Sequence, residues 1–258
     1  MKLFRKITLL MVAIMATTVA YGQDSLMIRV MTFNMRYGER ASLEDFAKFI
    51  KKQSPDFVAL QEADCRNYRT ATPQHNGRDF IAELARQTGM FGLFGKAIDF
   101  AGGYYGVGIL SKYPYIAMKK TMLPNPKGNE QRVVLEAAFE LPCDTIVMAC
   151  THLDYEYPEV IEEQSEFLCA HFARYKMPVI IAGDFNATPG DRAIITMSQN
   201  WNGISGNLPT YPTEAPDKKL DYIFVDTRHN WETVNVEIPQ ISLSDHLPVV
   251  CKLLLTKP

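Results

Sequence analysis

Short apolar runs, each bordered by a carboxylate, an amide or an imidazole, recur along the chain. Ile28 to Phe33 is followed by Asn34, and Asp56 to Leu60 by Gln61 and Glu62. Thr145 to Cys150 leads into Thr151 and His152; Val179 to Ala182 leads into Gly183, Asp184, Phe185 and Asn186. Runs this short, rich in β-branched residues and closed by polar ones, read as buried strands. Two further groups stand ahead of a run: Asp221 before Tyr222 to Val225, and Asp245-His246 before Leu247 to Leu255. Ligand sites in open sheets gather at strand ends. These residues reach one place only if the late strands run opposite to the early ones. Strands alternate with helices early and follow one another late, so the pattern predicts mixed rather than all-parallel sheets.

The helices carry their own punctuation. Ser42-Leu43-Glu44-Asp45 resembles a capping box and opens a helix to about Lys52. Asp79 to Thr88 reads as a helix closed by Gly89. Pro158 to Tyr175 places Val160, Ile161, Phe167, Leu168 and Phe172 on one stripe. Pro189 to Ser198 is predicted helical with Pro189 in its first turn. Tyr105 to Leu110, Val133 to Glu140 and Thr233 to Ile238 are further strands, and Gln199 to Lys219 reads as a loop. The aromatic segments Met90 to Phe94 and Phe100 to Tyr105 are assigned to the core, with contact to a lipid or another apolar substrate part as the alternative.

The first 22 residues read as a signal peptide. Lys2, Arg5 and Lys6 precede an apolar stretch from Ile7 to Met15, and Ala20-Tyr21-Gly22 offers small residues ahead of a cut before Gln23. The apolar stretch is shorter than the about 20 residues a membrane span needs. The expectation is a periplasmic or secreted protein, with no transmembrane segment once the leader is removed and one domain over residues 23–258. The leader holds three bases and no acid, so its removal moves the net charge from −2 to −5. An acidic chain is a poor general binder of nucleic acid, because such binding rests on neutralising phosphates. No stable nucleic-acid complex is expected, and the chain is expected to be a monomer. Five cysteines with no C-x-x-C pair exclude zinc-ribbon and thioredoxin chemistry. Cys150, Cys169 and Cys251 read as core; export permits one disulfide among the five without naming the pair.

Taken together, Asn34, Glu62, His152, Asp184-Phe185-Asn186, Asp221 and Asp245-His246 supply hard oxygen donors suited to Mg²⁺ or Mn²⁺ rather than zinc. They also supply two imidazoles that titrate near neutrality. Each block alone has an ordinary explanation, such as a turn residue, a helix cap or a glycosylation sequon at Asn186-Ala187-Thr188. In this order, from Asn34 to His246, they resemble the endonuclease/exonuclease/phosphatase family, also called DNase I-like. The resemblance implies a four-layer sandwich of two packed mixed β-sheets flanked by helices. It also implies a divalent-metal-dependent phosphoester hydrolase that attacks phosphorus with an activated water.

By the same resemblance, Glu62 belongs to the metal site with Asn34 and Asp245 nearby. His246 pairs with Asp221, Asp184 and Asn186 hold the water, and His152 donates to a non-bridging oxygen. Whether Asp184 or His246 takes the proton is left open. Arg132 either contacts phosphate through its fork or opens a strand at the surface; Arg36 either faces the cleft or is solvated. Tyr105 is assigned a structural role, His171 a place at the core edge, and His75 and His229 no partner. The family's substrates span DNA, RNA, inositol phosphates, sphingomyelin and other phospholipids. With short loops and no Lys/Arg run, a small phosphodiester or lipid-type substrate is expected, a secreted nuclease is the alternative, and a binding module without catalysis is the remaining class.

Overall fold

The computed structural model describes residues 25–142 and 144–256. The predicted leader lies outside them. Among the described residues, twelve strands form two six-stranded sheets. The first sheet holds β1 (Ser25–Asn34), β2 (Phe57–Cys65), β3 (Phe91–Phe100), β4 (Gly103–Ser111), β11 (Asn230–Glu237) and β12 (Val249–Thr256), in the order β11-β12-β1-β2-β4-β3. The second holds β5 (Tyr115–Met122), β6 (Val133–Glu140), β7 (Thr145–His152), β8 (Val179–Asp184), β9 (Trp201–Gly203) and β10 (Asp221–Asp226), in the order β5-β6-β7-β8-β10-β9. Each sheet has one parallel pair at its centre, β1 with β2 and β7 with β8. An antiparallel strand returns beside each pair: β12 beside β1, and β10 beside β8. The reversal of direction that a shared site requires is therefore present in both sheets.

Side-chain alternation explains the layers. Along β1, Ile28 and Val30 enter the core between the sheets, while Met31 and Phe33 point to the outer face. Along β8, Ile180 and Ala182 face inward; Val179 and Ile181 face outward. Helices α1 (Leu43–Gln53) and α2 (Phe80–Thr88) cover the first sheet through Phe46, Ile50, Phe80 and Leu84. Helices α3 (Pro158–Phe172) and α4 (Arg192–Asn200) cover the second through Leu168, Phe172 and Met197. Both faces of the central strands are buried, which is why they read as unbroken apolar runs. The predicted four-layer sandwich is the observed fold.

Local signals account for the helix ends. Ser42 Oγ accepts from the Asp45 N–H at 3.1 Å while Asp45 Oδ2 accepts from the Ser42 N–H at 3.3 Å, a complete capping box. Asp79 caps α2, and Gly89 closes it at φ 75°. Three predictions shift. Helix α3 ends at Phe172 rather than Tyr175, with Ala173 as its C-cap. Pro189 lies outside α4: Asp191 Oδ2 accepts from the Thr188 N–H at 2.6 Å, so residues 188–191 form a turn and the helix starts at Arg192. The stretch predicted as a loop after Gln199 contains the short strand β9. Strands β3 and β5 carry no clear sequence signal, since each lies at a sheet edge and β5 is exposed along nearly its whole length. No helix among the described residues is long and apolar enough to cross a membrane.

Candidate active site

Sheet register brings the polar strand ends together. In the second sheet His152 lies opposite Asp184 across the parallel pair, and Asp184 lies opposite Asp221 across the antiparallel pair. Three neighbouring strands thus present His152, Asp184 and Asp221 in one row. The glycine before Asp184 is dictated by this pairing: a Cβ on Gly183 would sit 2.1 Å from the Thr151 carbonyl oxygen of β7. From the first sheet come Asn34 at the end of β1 and Asp245-His246 just before β12.

Glu62 reaches the same place by another route. The sequence places it after a strand, but β2 continues to Cys65 and Glu62 lies within it. Pairing of β2 with β4 is interrupted between Leu60 and Ala63, and Glu62 adopts φ 56°. A non-glycine residue held in the left-handed region costs roughly 1–3 kcal/mol and persists only where its surroundings fix it. This bulge turns the carboxylate toward the second sheet. Asn34 joins the two sheets by donating from Nδ2 to Glu62 Oε1 and to Asp184 Oδ2, both at 2.9 Å.

The two histidines have opposite electrostatics. His246 is buried, which favours its neutral form, but the charges of Asp221 and Asp184 outweigh burial and raise its pKa. Its Nδ1 donates to Asp221 Oδ2 at 2.9 Å, and its Nε2 lies 3.6 Å from Asp184 Oδ2. His152 is pushed well below the ordinary imidazole value by burial and then by the Arg132 and His246 charges. Arg132 Nη1 donates to His152 Nδ1 at 3.0 Å, so the ring is neutral with its proton on Nε2. That nitrogen lies 3.6 Å from Asp184 Oδ2, the acceptor nearest its proton, while the Asn186 Nδ2 at 3.0 Å is a donor that turns to the Leu153 carbonyl at 3.1 Å. Asp184, between the two rings, has its pKa raised by burial, and its Oδ1 accepts from the Asn186 N–H at 2.9 Å. Behind Asp221, the buried Lys219 Nζ donates to the Asp221 carbonyl at 3.0 Å; burial lowers this lysine to about 8.

An open cleft of about 680 Å³ lies over these groups. Arg36, Glu62, Arg132, His152, Asp184, Asn186, Asp245 and His246 line it, while Asn34 and Asp221 lie fully buried. All ten residues singled out from the sequence are therefore brought together. Arg132 is not a surface residue: it is buried, its Nη1 also meets Glu130 at 3.2 Å, and its Nε has no partner among the described residues. Arg36 is not simply solvated, because it forms an ion pair with Asp245. Sequence reasoning missed the tyrosines of the wall, Tyr37, Tyr155 and Tyr211, together with Glu130 and Lys218, and Tyr105 lines the cleft as well. Aromatic residues beside a motif, such as Tyr37 three residues after Asn34, were the available signal.

Two sets of groups could receive a cation. Ligating atoms of Asp184, Asp221 and His246 lie within 4.8 Å of one another. In that trio, however, Asp221 Oδ2 and His246 Nδ1 already engage each other at 2.9 Å. Glu62 and Asp245 fit better. Both are hard oxygen donors; burial raises the Glu62 pKa against the Asn34 hydrogen bond and the His246 and Arg132 charges, with a smaller push from the like charge of Asp245. The only hydrogen bond to the Glu62 carboxylate among the described residues comes from Asn34, which leaves room for a cation. A metal role for Asn34 would use Oδ1, which here accepts from the Arg36 N–H at 2.9 Å.

The profile of the endonuclease/exonuclease/phosphatase family matches residues 31–246, most of the chain and every block named above. The chain belongs to this family. Solved structures share its fold at low sequence identity. A family member from Beutenbergia cavernae is 23% identical with a TM-score of 0.76, the match covering 89% of this chain and 72% of that one. The human Nocturnin catalytic domain, solved with a bound sulfate anion, is 20% identical with a TM-score of 0.70, over 90% of this chain and 97% of that one. ANGEL2, a 2',3'-cyclic phosphatase, is 15% identical with a TM-score of 0.69, over 89% and 95% of the two chains.

Proposed function

We propose that this family member is an exported, divalent-metal-dependent phosphoester hydrolase acting on a small phosphodiester or a lipid headgroup. The observation that carries the reading is the pairing within one cleft of a protonated His246–Asp221 unit with a neutral His152, beside the oxygen-only pair Glu62 and Asp245. The Nocturnin domain holds a sulfate and ANGEL2 acts on a cyclic phosphate, which suits a cleft built for a tetrahedral oxyanion. Glu62 and Asp245, with Asn34 beside them, would hold Mg²⁺ or Mn²⁺. When bound, the ion polarises a phosphoryl oxygen and neutralises charge on the leaving oxygen.

The chain's own residues account for the remaining work. Asp184 and Asn186 orient the attacking water. His246 already carries its proton, so Asp184, whose carboxyl is made more basic by burial, accepts the proton of that water. His246, locked by Asp221, and His152, through Nε2–H, donate to non-bridging oxygens as charge accumulates. Arg132, in the wall of the cleft, sets the His152 tautomer. Catalysis of this kind is mainly positioning and charge stabilisation.

The test is an activity panel on the purified protein with bis-p-nitrophenyl phosphate, sphingomyelin, inositol phosphates, RNA and plasmid DNA, in Mg²⁺, Mn²⁺ or EDTA. Turnover of one of the first three that is lost with EDTA and in His246→Ala supports the reading. Turnover confined to DNA or RNA supports the secreted nuclease, and silence of a metal-bound protein overturns both. Export is tested by expressing the full chain and sequencing the N-terminus of the product; a mature start at Gln23 supports it, and retention of Met1 in the cytoplasm refutes it.

A further inference from the structure

Arg36 contacts two of the three residues expected around the cation. Its backbone N–H donates to Asn34 Oδ1 at 2.9 Å, and its Nη1 forms an ion pair with Asp245 Oδ2. The Nε edge of the same guanidinium is held by Glu39 Oε2 at 2.8 Å. The arrangement depends on an unusual backbone. Arg36 and Tyr37 adopt φ 43° and 44°, and Gly38 follows at 68°. Three consecutive left-handed residues fold the arginine back over Asn34 instead of letting it continue outward.

Neighbours fix this turn. The Tyr37 ring lies 4.0 Å from the Arg69 guanidinium, which Asp64 holds through two 3.0 Å hydrogen bonds. The His75 ring nitrogen Nε2 is 3.1 Å from the Gly38 carbonyl oxygen, and a Cβ on Gly38 would sit 2.8 Å from that nitrogen. The turn fixes the Arg36 backbone, and the Asp245 and Glu39 carboxylates hold its guanidinium.

We infer that the Arg36 guanidinium is a built-in competitor for the cation site, occupying Asp245 Oδ2 until a metal ion displaces it. The inference rests on the proposed metal-dependent reading. Arg36 Nη1 occupies Asp245 Oδ2, so a metal ion can take that oxygen only when the guanidinium leaves it. Observed affinity is then the intrinsic affinity scaled by the fraction of time the carboxylate is free. The same contact spares the metal-free protein an uncompensated charge on Asp245 beside Glu62.

The experiment measures Mn²⁺ binding without substrate, from the electron paramagnetic resonance signal of free Mn²⁺. It compares the wild-type protein with Arg36→Gln and Arg36→Lys. Arg192→Gln is the control: its side chain is 83% exposed and pairs with Glu162, away from the cleft. Arg36→Gln is expected to bind Mn²⁺ roughly tenfold more tightly. Arg36→Lys, which keeps the charge but loses the fork, falls between, and the control matches wild type. Melting provides a second readout: Arg36→Gln melts lower without metal and gains more from Mn²⁺ than wild type. Unchanged or weaker Mn²⁺ binding by folded Arg36→Gln overturns the inference and leaves the hydrolase reading standing. If Arg36→Gln does not fold, unchanged binding by Arg36→Lys overturns it. Absence of Mn²⁺ binding in every variant and in wild type defeats both.

Discussion

The rim of the cleft supplied by the first sheet is made from distorted backbone, whereas the rim supplied by the second is made from ordinary strand ends. Glu62 sits on a bulge at φ 56°, and Arg36 and Tyr37 occupy a left-handed turn. Opposite them, His152, Asp184 and Asp221 occupy adjacent registered positions on three regular strands. Among the second rim's residues, Asn186 alone has positive φ, at 48°, and asparagine tolerates that region well. The difference corresponds to two tasks, with one crossing: His246 comes from the first sheet but is locked by Asp221 of the second. Handling protons needs fixed distances between side chains, which strand register gives directly. Gathering oxygens around a cation needs carboxylates turned out of the strand direction, which register alone does not give.

Variants of the two rims therefore fail differently. The largest expected effect is on the second rim. Asp184→Asn removes the proton acceptor and should lower kcat by about 10²–10⁴-fold. Raising Mn²⁺ should not restore it, and steady-state kinetics at several metal concentrations decide the point; recovery at high metal would erase the distinction between the rims. Next comes Glu62→Gln on the first rim, which should weaken metal binding by about 10–100-fold, the range found when groups supporting a metal site are altered. Its activity should recover as Mn²⁺ is raised. A loss that saturating metal leaves untouched would assign Glu62 to the proton-handling set instead.

Structural variants sharpen the same contrast with smaller effects. Gly183→Ala forces a Cβ against the Thr151 carbonyl and should separate β7 from β8, costing about 1–3 kcal/mol. Urea melts would show it, and activity should fall because His152 and Asp184 move apart. The smallest effect belongs to Asp226, at the far end of β10. Burial raises its pKa, but the Val179 N–H at 2.8 Å, the His229 ring at 2.7 Å and the Arg228 N–H outweigh burial and hold it below the usual value. A depressed carboxylate stabilises the fold above its unfolded pKa and loses that contribution as pH falls through its folded pKa. Asp226→Asn should therefore cost about 1–2 kcal/mol near pH 7 and nothing in strong acid, with activity at neutral pH unchanged. A pH-independent difference in stability would show that the contacts, not the charge, matter there.

The same contrast explains what the sequence revealed. On the second rim the strand ends announce themselves: an apolar run stops and Asp184 or His152 follows. Asp221 and Asp245-His246 required one further step, the reversal of late strands, and the topology supplies it. On the first rim the residue types were visible but their geometry was not. Nothing in Leu60-Gln61-Glu62 signals a left-handed residue, so the strand appeared to end where it bulges. The ion pair between Arg36 and Asp245 joins residues far apart in the chain and depends on a turn with no glycine or asparagine at Arg36 or Tyr37. The wall tyrosines were hidden for a related reason, since Tyr155 and Tyr211 come from loops placed by tertiary contacts. Edge strands β3 and β5 were unreadable because an edge needs no two-sided apolar run. The His229–Asp226 pair was missed although the partners are only three positions apart.

The four described thiols make the molecule its own unfolding clock. Cys65, Cys150, Cys169 and Cys251 are all unpaired and buried. Burial pushes Cys150 and Cys251 up to about 12, and Cys65 and Cys169 to about 11. A thiol reacts as its thiolate, so none of them is reachable by an alkylating reagent until its own layer opens. Cys169 lies on α3, whereas Cys150 and Cys251 lie between the sheets. With Cys143 replaced, the order in which single thiols become labelled would time the peeling of a helix layer against the parting of the two sheets.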